Sequence, residues 1–302
     1  MVKYPPIQAI KGLSIVAAVI LQCSIGLASP HDIQLRGLGR PQSNSLDDPA
    51  VNRFRLLTSE LALALAPKPL SPAETLGVSG FEFSVGSSHA DISESYKYWQ
   101  GQPGAPIFEA AIRDRKIPAV FWVPYIHLRK GLPISTEIGI NGSYLAFSNM
   151  FMVGADLKVA LHESYIRWFP SIALRGAAST LFGAGDFVVT TGEADIIMSL
   201  PIGIGGMVRI NPYLGFGLMM MDATSDVIDE TPYDVRDQGG GDSGSLYTYP
   251  RMKLEENRFR RFVIGTQVQT SFIKLLYEID VGQIEFNKRT LMSHTFQVGF
   301  DA

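Results

Sequence analysis

The stretch MFMVGADLKVALHES, residues 150–164, decides how the rest of the chain is read. Phe151, Val153, Ala155, Leu157, Val159 and Leu161 are apolar, and the positions between them include Asp156, Lys158 and His162. Alternation with period two marks a β-strand with two unlike faces. Eleven residues at about 3.3 Å each, tilted near 40°, rise roughly 28 Å along a barrel axis. Strands of soluble sandwiches usually run about 5 to 6 residues. A strand this long, apolar on one side and ionised on the other, suits the roughly 25 Å apolar band of a membrane-spanning barrel.

The same period recurs along the chain. Phe81, Phe83 and Val85 share one face, as do Ile134, Ile138 and Ile140. Ile172 and Leu174 alternate with Ala173 and Arg175, and the even positions from Val188 to Leu200 lie opposite Glu193 and Asp195. Leu214, Phe216, Leu218 and Met220 form another set; Phe262, Ile264 and Val268, then Ile273 to Val281, then Phe296, Val298 and Phe300 follow. Residues 117–128 are apolar and β-branched, and Leu61, Leu63 and Leu65 alternate with alanines. An open sheet edge is prohibitive in hydrocarbon, so such strands must close on themselves. The expected fold is all-β, a closed antiparallel up-and-down transmembrane β-barrel. Rings at Tyr144, Phe147 and Phe151, and at Tyr165, Trp168 and Phe169, bracket the 150–164 strand where interfacial girdles belong.

The long segments Gly86–Lys116 and Asp222–Asn257 read as outward loops, because inward turns of these barrels are short. That places inward turns near Pro67–Ala73, Lys130–Leu132, Glu163–Tyr165 and Pro201–Gly205. It also starts the run Phe54–Ala66 at the outer face, so an N-terminus arriving from inside must cross once more. Asp32–Gly39 (DIQLRGLG) is the candidate for that crossing. Twelve strands are therefore preferred, with ten as the second count. Pro106–Lys116 has helical spacing and is expected to form a short helix in an outer loop.

Residues 1–28 have the layout of a cleaved secretory signal: Lys3 and Lys11, an apolar run, then small residues at Gly26, Ala28 and Ser29. The domain division is thus a signal peptide at 1–28, an N-terminal segment at 29–52 that supplies a first strand, and the barrel at 53–302. Cys23 is the one cysteine and lies in the signal, so the mature chain is expected to avoid thiols, as exported proteins often do. Removing Lys3 and Lys11 leaves 24 basic and 29 acidic side chains, a net charge of −5. That excess of acid argues against a nucleic-acid partner.

With its export signal, long alternating strands and final HTFQVGF (residues 294–300), the chain resembles Gram-negative outer-membrane β-barrel proteins of the porin-like class. LALALAPKPLSPAETLGVSGFEF, residues 61–83, also resembles an opening hairpin of such barrels. The resemblance implies residence in the outer membrane, contact with its lipid and lipopolysaccharide, and handling by the barrel-assembly machinery. It sets neither an activity nor an oligomeric state.

If the apolar faces meet lipid, the lumen receives Glu137, Asp156, Lys158, His162, Arg175, Glu193, Asp195, Arg209, Lys274, Glu278 and Asp280. Such a set forms either a mildly cation-preferring pore or a network of paired charges filling a narrow bore, and pairing is favoured because buried charges demand it. Arg258, Arg260 and Arg261 open a strand at the outer rim and are candidates for lipopolysaccharide phosphates, which guanidinium groups grip in bidentate fashion. GDSG (residues 241–244) lacks a histidine in a protease-like context, so no catalytic site is expected. His162 and Ser164 match the His-x-Ser pattern of outer-membrane lipid A deacylases, which leaves a lipid hydrolase as the enzymatic alternative. A soluble periplasmic ligand-binding barrel is the other alternative. The carboxylates between Asp222 and Asp242 match no EF-hand spacing, so neither metal nor cofactor is expected. The leading expectation is a non-enzymatic outer-membrane barrel, structural or surface-acting or a small passive pore.

Overall fold

The computed structural model describes residues 31–102, 105–108, 117–163, 169–205, 207–230 and 246–301. The signal expected at 1–28, most of the helix expected at 106–116, Ser164, Tyr165, Trp168 and the GDSG stretch lie outside the described residues. Ten long strands build one barrel: β1 (Phe81–Asp91), β2 (Val120–Leu132), β3 (Thr136–Tyr144), β4 (Phe151–His162), β5 (Ser171–Phe182), β6 (Phe187–Ser199), β7 (Val208–Ser225), β8 (Arg258–Gln269), β9 (Ile273–Ile284) and β10 (Thr290–Asp301). Each pairs antiparallel with its chain neighbour, and β1 pairs with β10 from Glu82↔Asp301 to Ala90↔Ser293, which closes the sheet. A three-residue strand, Ile202–Ile204, folds back on the start of β7.

The alternation is read out as expected. In β4, Phe151, Val153, Leu157 and Leu161 are exposed, while Met152, Gly154, Asp156, Lys158 and Ala160 are buried. The same division holds across the wall: Leu214, Phe216, Phe262, Ile264, Leu275 and Phe296 all face outward without a covering layer. A soluble sandwich would bury that face under a second sheet, and a soluble ligand-binding barrel would make it polar. Exposed rings edge both ends of the apolar wall, with Trp122, Phe147, Phe151 and Phe182 at one and Phe81, Phe169, Phe272 and Phe300 at the other.

The two ends differ. Residues 133–135 and 270–272 are tight turns at the end where β1 begins and β10 finishes. The connections 92–119 and 226–257 join strands at the opposite end.

Twelve strands is a miscount, and the second count, ten, is the right one. The run 54–66 belongs to a helix, α1 (Pro49–Leu65), and the boundary expected at 52/53 falls inside it. Leucine and alanine are the strongest helix formers, and Leu57, Leu61 and Leu65 repeat at helical spacing as well as any pair of alternating leucines fits a strand. The start is fixed by Asp48, whose Oδ1 accepts from Ala50 N at 2.8 Å, and by Pro49 at the first helical position. Nor is Asp32–Gly39 a strand: Ile33 makes a single bridge to Phe108, and Leu35–Leu38 form a 3₁₀ turn. With ten strands β1 starts at the end where β10 finishes, so no crossing by residues 32–39 is required. The run 54–66 does cross, but inside the barrel as α1.

Pro67–Ala73, expected at an inward turn, belong instead to an extended strap, residues 66–80, that runs along the lumen from α1 to β1. Three prolines (Pro67, Pro69 and Pro72) suit this path, since each removes a backbone donor that would otherwise need a partner. At its lower end the strap turns into β1 through Gly77, with φ +75°, and Gly80, whose N–H donates to Gly77 O at 3.1 Å. Gly131 N–H donates to Gly80 O at 3.0 Å, and a Cβ on Gly131 would overlap the Gly77 carbonyl oxygen. Substituting Gly131→Val should therefore displace this turn and lower stability by about 2 kcal/mol or more. The check is the urea midpoint of the folded, fast-migrating species on an unheated gel, with Gly203→Val, where a Cβ meets open space, holding the wild-type midpoint.

Candidate functional site: a filled lumen

The bore has two layers. In the long-loop half the inward residues are themselves apolar: Phe121, Val123, Met152, Leu181, Phe187, Val189, Met219, Met221, Phe259, Ile284 and Leu291 are all buried. This wall, greasy on both faces, packs around α1, which contributes Val51, Phe54, Leu57, Leu61 and Leu65 to the same cluster. Phe54 stacks on Tyr249 at 4.8 Å and meets Phe187 edge-on at 6.5 Å. The helix is thus the core of the barrel's long-loop half.

One acidic group sits in this apolar layer and is fully coordinated. Glu60 accepts from Tyr98 Oη at 2.5 Å, Trp99 Nε1 at 2.6 Å and Ser93 N at 3.1 Å, and Arg289 lies 3.7 Å away. Arg289 also donates to Tyr98 Oη and lies over the Tyr96 ring at 3.4 Å. Glu60 therefore ties α1 to the β1–β2 loop and to the β9–β10 turn.

The short-turn half is ionic. Lys274 pairs with Glu82 at 2.7 Å, Glu82 pairs with Arg129, Arg129 reaches Glu137 at 3.2 Å, and Glu137 reaches Lys158 at 3.3 Å. A second chain runs from His127 through Asp156 (2.9 Å) to Arg175 (3.8 Å), then to Asp195 (2.6 Å) and Glu193 (3.3 Å). Arg261 continues it, at 2.8 Å from Glu193 and 2.7 Å from Asp280. Every one of these groups is less than one-tenth exposed. Gly217 is what lets Asp195 lie along the wall, because a Cβ there would overlap its Oδ1.

The strap is bonded to these charges by its backbone. Lys158 Nζ donates to Ser71 Oγ (3.0 Å), Pro72 O (3.1 Å) and Glu74 O (3.0 Å), and Arg261 Nη1 donates to Pro67 O at 3.1 Å. In the other direction Leu70 N donates to Glu278 Oε2 (3.0 Å), Ala73 N to Ser199 Oγ (3.0 Å) and Leu76 N to Glu137 Oε2 (3.2 Å). Just past β4, Glu163 accepts from Thr75 N at 2.7 Å, Thr75 Oγ1 at 2.5 Å and Ser135 Oγ at 2.6 Å. Partial burial pushes its carboxyl pKa up; these hydrogen bonds outweigh that and hold it below the ordinary value. Voids of about 30 and 10 Å³ remain beside the plug, the space of one or two water molecules.

Of the lumen residues read from sequence, Glu137, Asp156, Lys158, Arg175, Glu193, Asp195, Lys274, Glu278 and Asp280 all face the bore and are buried. Arg209 stands at the open short-turn end with its side chain half exposed and pairs with Glu74 of the strap at 3.0 Å. His162 departs from the expectation. A register shift between Ala160 and His162 sets it opposite Ile172, on the face opposite Lys158, with its ring edge-on to Phe169 at 5.0 Å. Arg261 also departs: it is a lumen residue, because it alternates with the outward Phe262 and Ile264. Glu82, His127 and Arg129 were missed, although period two places each opposite an outward Phe81, Trp122 or Leu128. Asp222, expected in a loop, lies in β7 and is held by Arg251 at 2.8 Å, and Glu230 lies 3.9 Å from Arg40.

Fold and lumen together define a closed, membrane-type antiparallel β-barrel filled by its own N-terminal segment. No protein-family model matches the chain, and no curated protein matches it. Among solved structures it is similar to the N-terminal β-barrel domain of Pseudomonas aeruginosa OprF, at 10% identity and a TM-score of 0.30, covering 75% of this chain and 99% of that one. Neisserial surface protein A (NspA) matches at 12% identity and TM-score 0.28, covering 74% and 96%. Acinetobacter baumannii Omp33 matches at 9% identity and TM-score 0.28, covering 76% and 99%. At these scores the likeness adds nothing to the geometry described above.

Two substitutions separate the lumen arginine from its rim neighbour. Removing one member of a buried ion pair costs about 3–5 kcal/mol, whereas an exposed pair is worth about 0–1 kcal/mol. Arg261→Ala is therefore expected to lower the unfolding midpoint in detergent sharply, and Arg260→Ala, whose pairing with Glu285 is exposed, to leave it nearly unchanged. Glu60→Ala strands the Tyr98, Trp99 and Ser93 donors, at about 1–3 kcal/mol for each buried donor left unpaired. Limited proteolysis should show the 92–100 loop cut faster in that variant.

Proposed function

We propose that this protein resides in the outer membrane as a non-enzymatic barrel, sealed along its bore by residues 49–80, with a structural or surface role instead of that of an open pore. The observation that carries the reading is the apolar inner wall of the long-loop half. An aqueous channel is lined by polar groups, whereas this wall has Phe121, Phe187, Met219, Met221 and Phe259 facing the bore and α1 covering them. The outward apolar band and its two aromatic girdles support a bilayer as the surroundings. The long-loop end is read as the outer face and the short-turn end as the periplasmic one. At the outer rim Arg258 and Arg260 point away from the bore, opposite Met220 and Leu218, where they suit lipopolysaccharide phosphates.

Single-channel recording in planar bilayers tests the seal. The full-length protein is expected to give no stepwise conductance. Replacing Leu57 and Leu61 by Glu places charge against the apolar wall and should produce openings; Leu61→Ser serves if the double variant does not assemble. Regular, long-lived steps from the wild-type protein would sink the reading.

A further inference from the structure

The N-terminal segment does not stop at the mouth of the barrel. Residues 31–48 lie across the long-loop end and are bonded there to both long loops and to the short connections 145–150 and 183–186. His31 N donates to Phe147 O at 2.9 Å, Gln34 N to Ile107 O at 2.8 Å and Leu35 N to Asp186 Oδ2 at 2.8 Å. Asp32 accepts from Asn149 N and Nδ2, both at 2.7 Å, and Tyr249 Oη donates to Gly39 O at 2.5 Å. Leu35 and Leu38 are fully buried in the same apolar cluster as α1. Ten is an even number, so β1 begins at the end where β10 finishes, beside Asp301. The chain ahead of β1 therefore reaches the long loops only by passing along the bore.

We propose that the barrel delivers its own N-terminal segment to the cell surface, residues 31–48 forming one outer layer with the long loops while 49–80 remain as the thread through the wall. This rests on the membrane orientation given under Proposed function. A segment tethered to the periplasmic face would need only a short link to β1. Here 17 helical residues and 15 extended ones separate Asp48 from Phe81, and both stretches are bonded inside the bore. Gln42 to Ser45 are exposed at the crest of this layer, with Gln42 N and Ser43 N donating to Asp48 Oδ2 at 2.8 and 3.0 Å.

Single cysteines in a Cys23→Ser background, probed on intact cells with a polymer-linked maleimide too large to cross the outer membrane, decide it. Asn44→Cys reports on the N-terminal layer, Glu255→Cys on the long-loop end and Ser271→Cys on the β8–β9 turn. Asn44→Cys is expected to label as completely as Glu255→Cys, with Ser271→Cys labelled only after the outer membrane is opened. Asn44→Cys protected together with Ser271→Cys, while Glu255→Cys reacts, would overturn the proposal and leave the membrane reading standing. Glu255→Cys protected, or Ser271→Cys labelled in intact cells, would bring down the orientation itself and the proposal with it. Ser43→Cys replaces Asn44→Cys if that variant does not assemble.

Discussion

Charge that is walled off from water must find a partner, and this barrel is organised around that demand. The wall brings seven buried carboxylates and five buried cations into its short-turn half: Glu82, Glu137, Asp156, Glu193, Asp195, Glu278 and Asp280 against Arg129, Lys158, Arg175, Arg261 and Lys274. Left alone, neither the charges nor a strap of extended backbone would be at ease in a narrow bore. Together they answer one another. The strap's carbonyls take donors from Lys158 and Arg261, and its N–H groups give to Glu137 and Glu278. The prolines contribute as well, because each removes a backbone N–H that would otherwise need an acceptor in the bore.

The long-loop half meets a different demand by a different route. There the strands are apolar on both faces, a pattern characteristic of a strand covered on both sides. Inside, α1 supplies the cover; outside, the proposed bilayer does. The Glu60 cluster then ties that helix to the β1–β2 loop and the β9–β10 turn above it. The consequence for function is a bore that is occupied by packed side chains above and by bonded backbone below.

How much of this was legible beforehand depends on the element. Long strands announce themselves because period two over a dozen residues has few other meanings, and the lumen position of Asp156, Lys158, Arg175, Glu193 and Asp280 follows from the same count. The run ELALALA misled for a physical reason: leucine–alanine alternation satisfies the strand period while both residues favour helix, and the deciding signals, Asp48 and Pro49, lie upstream of it. His162 went astray because a bulge shifts the register by one residue, and one residue exchanges the faces of a strand. Arg261 was grouped by its neighbours in the chain when its alternation with Phe262 already placed it inside.

By itself the sequence determined a closed wall of long strands with apolar flanks outward and ionised flanks inward, because side-chain alternation is a local property of extended backbone. The crossing it asked for at 32–39 came from counting the run 54–66 as wall, and the passage that exists is that run itself. Only the tertiary structure decided that this passage runs through the lumen as helix and strap, because that depends on whether the bore is wide enough to hold a helix and whether its inner surface matches one. The shape of a cavity is a sum over ten strands, and no single stretch of chain carries it.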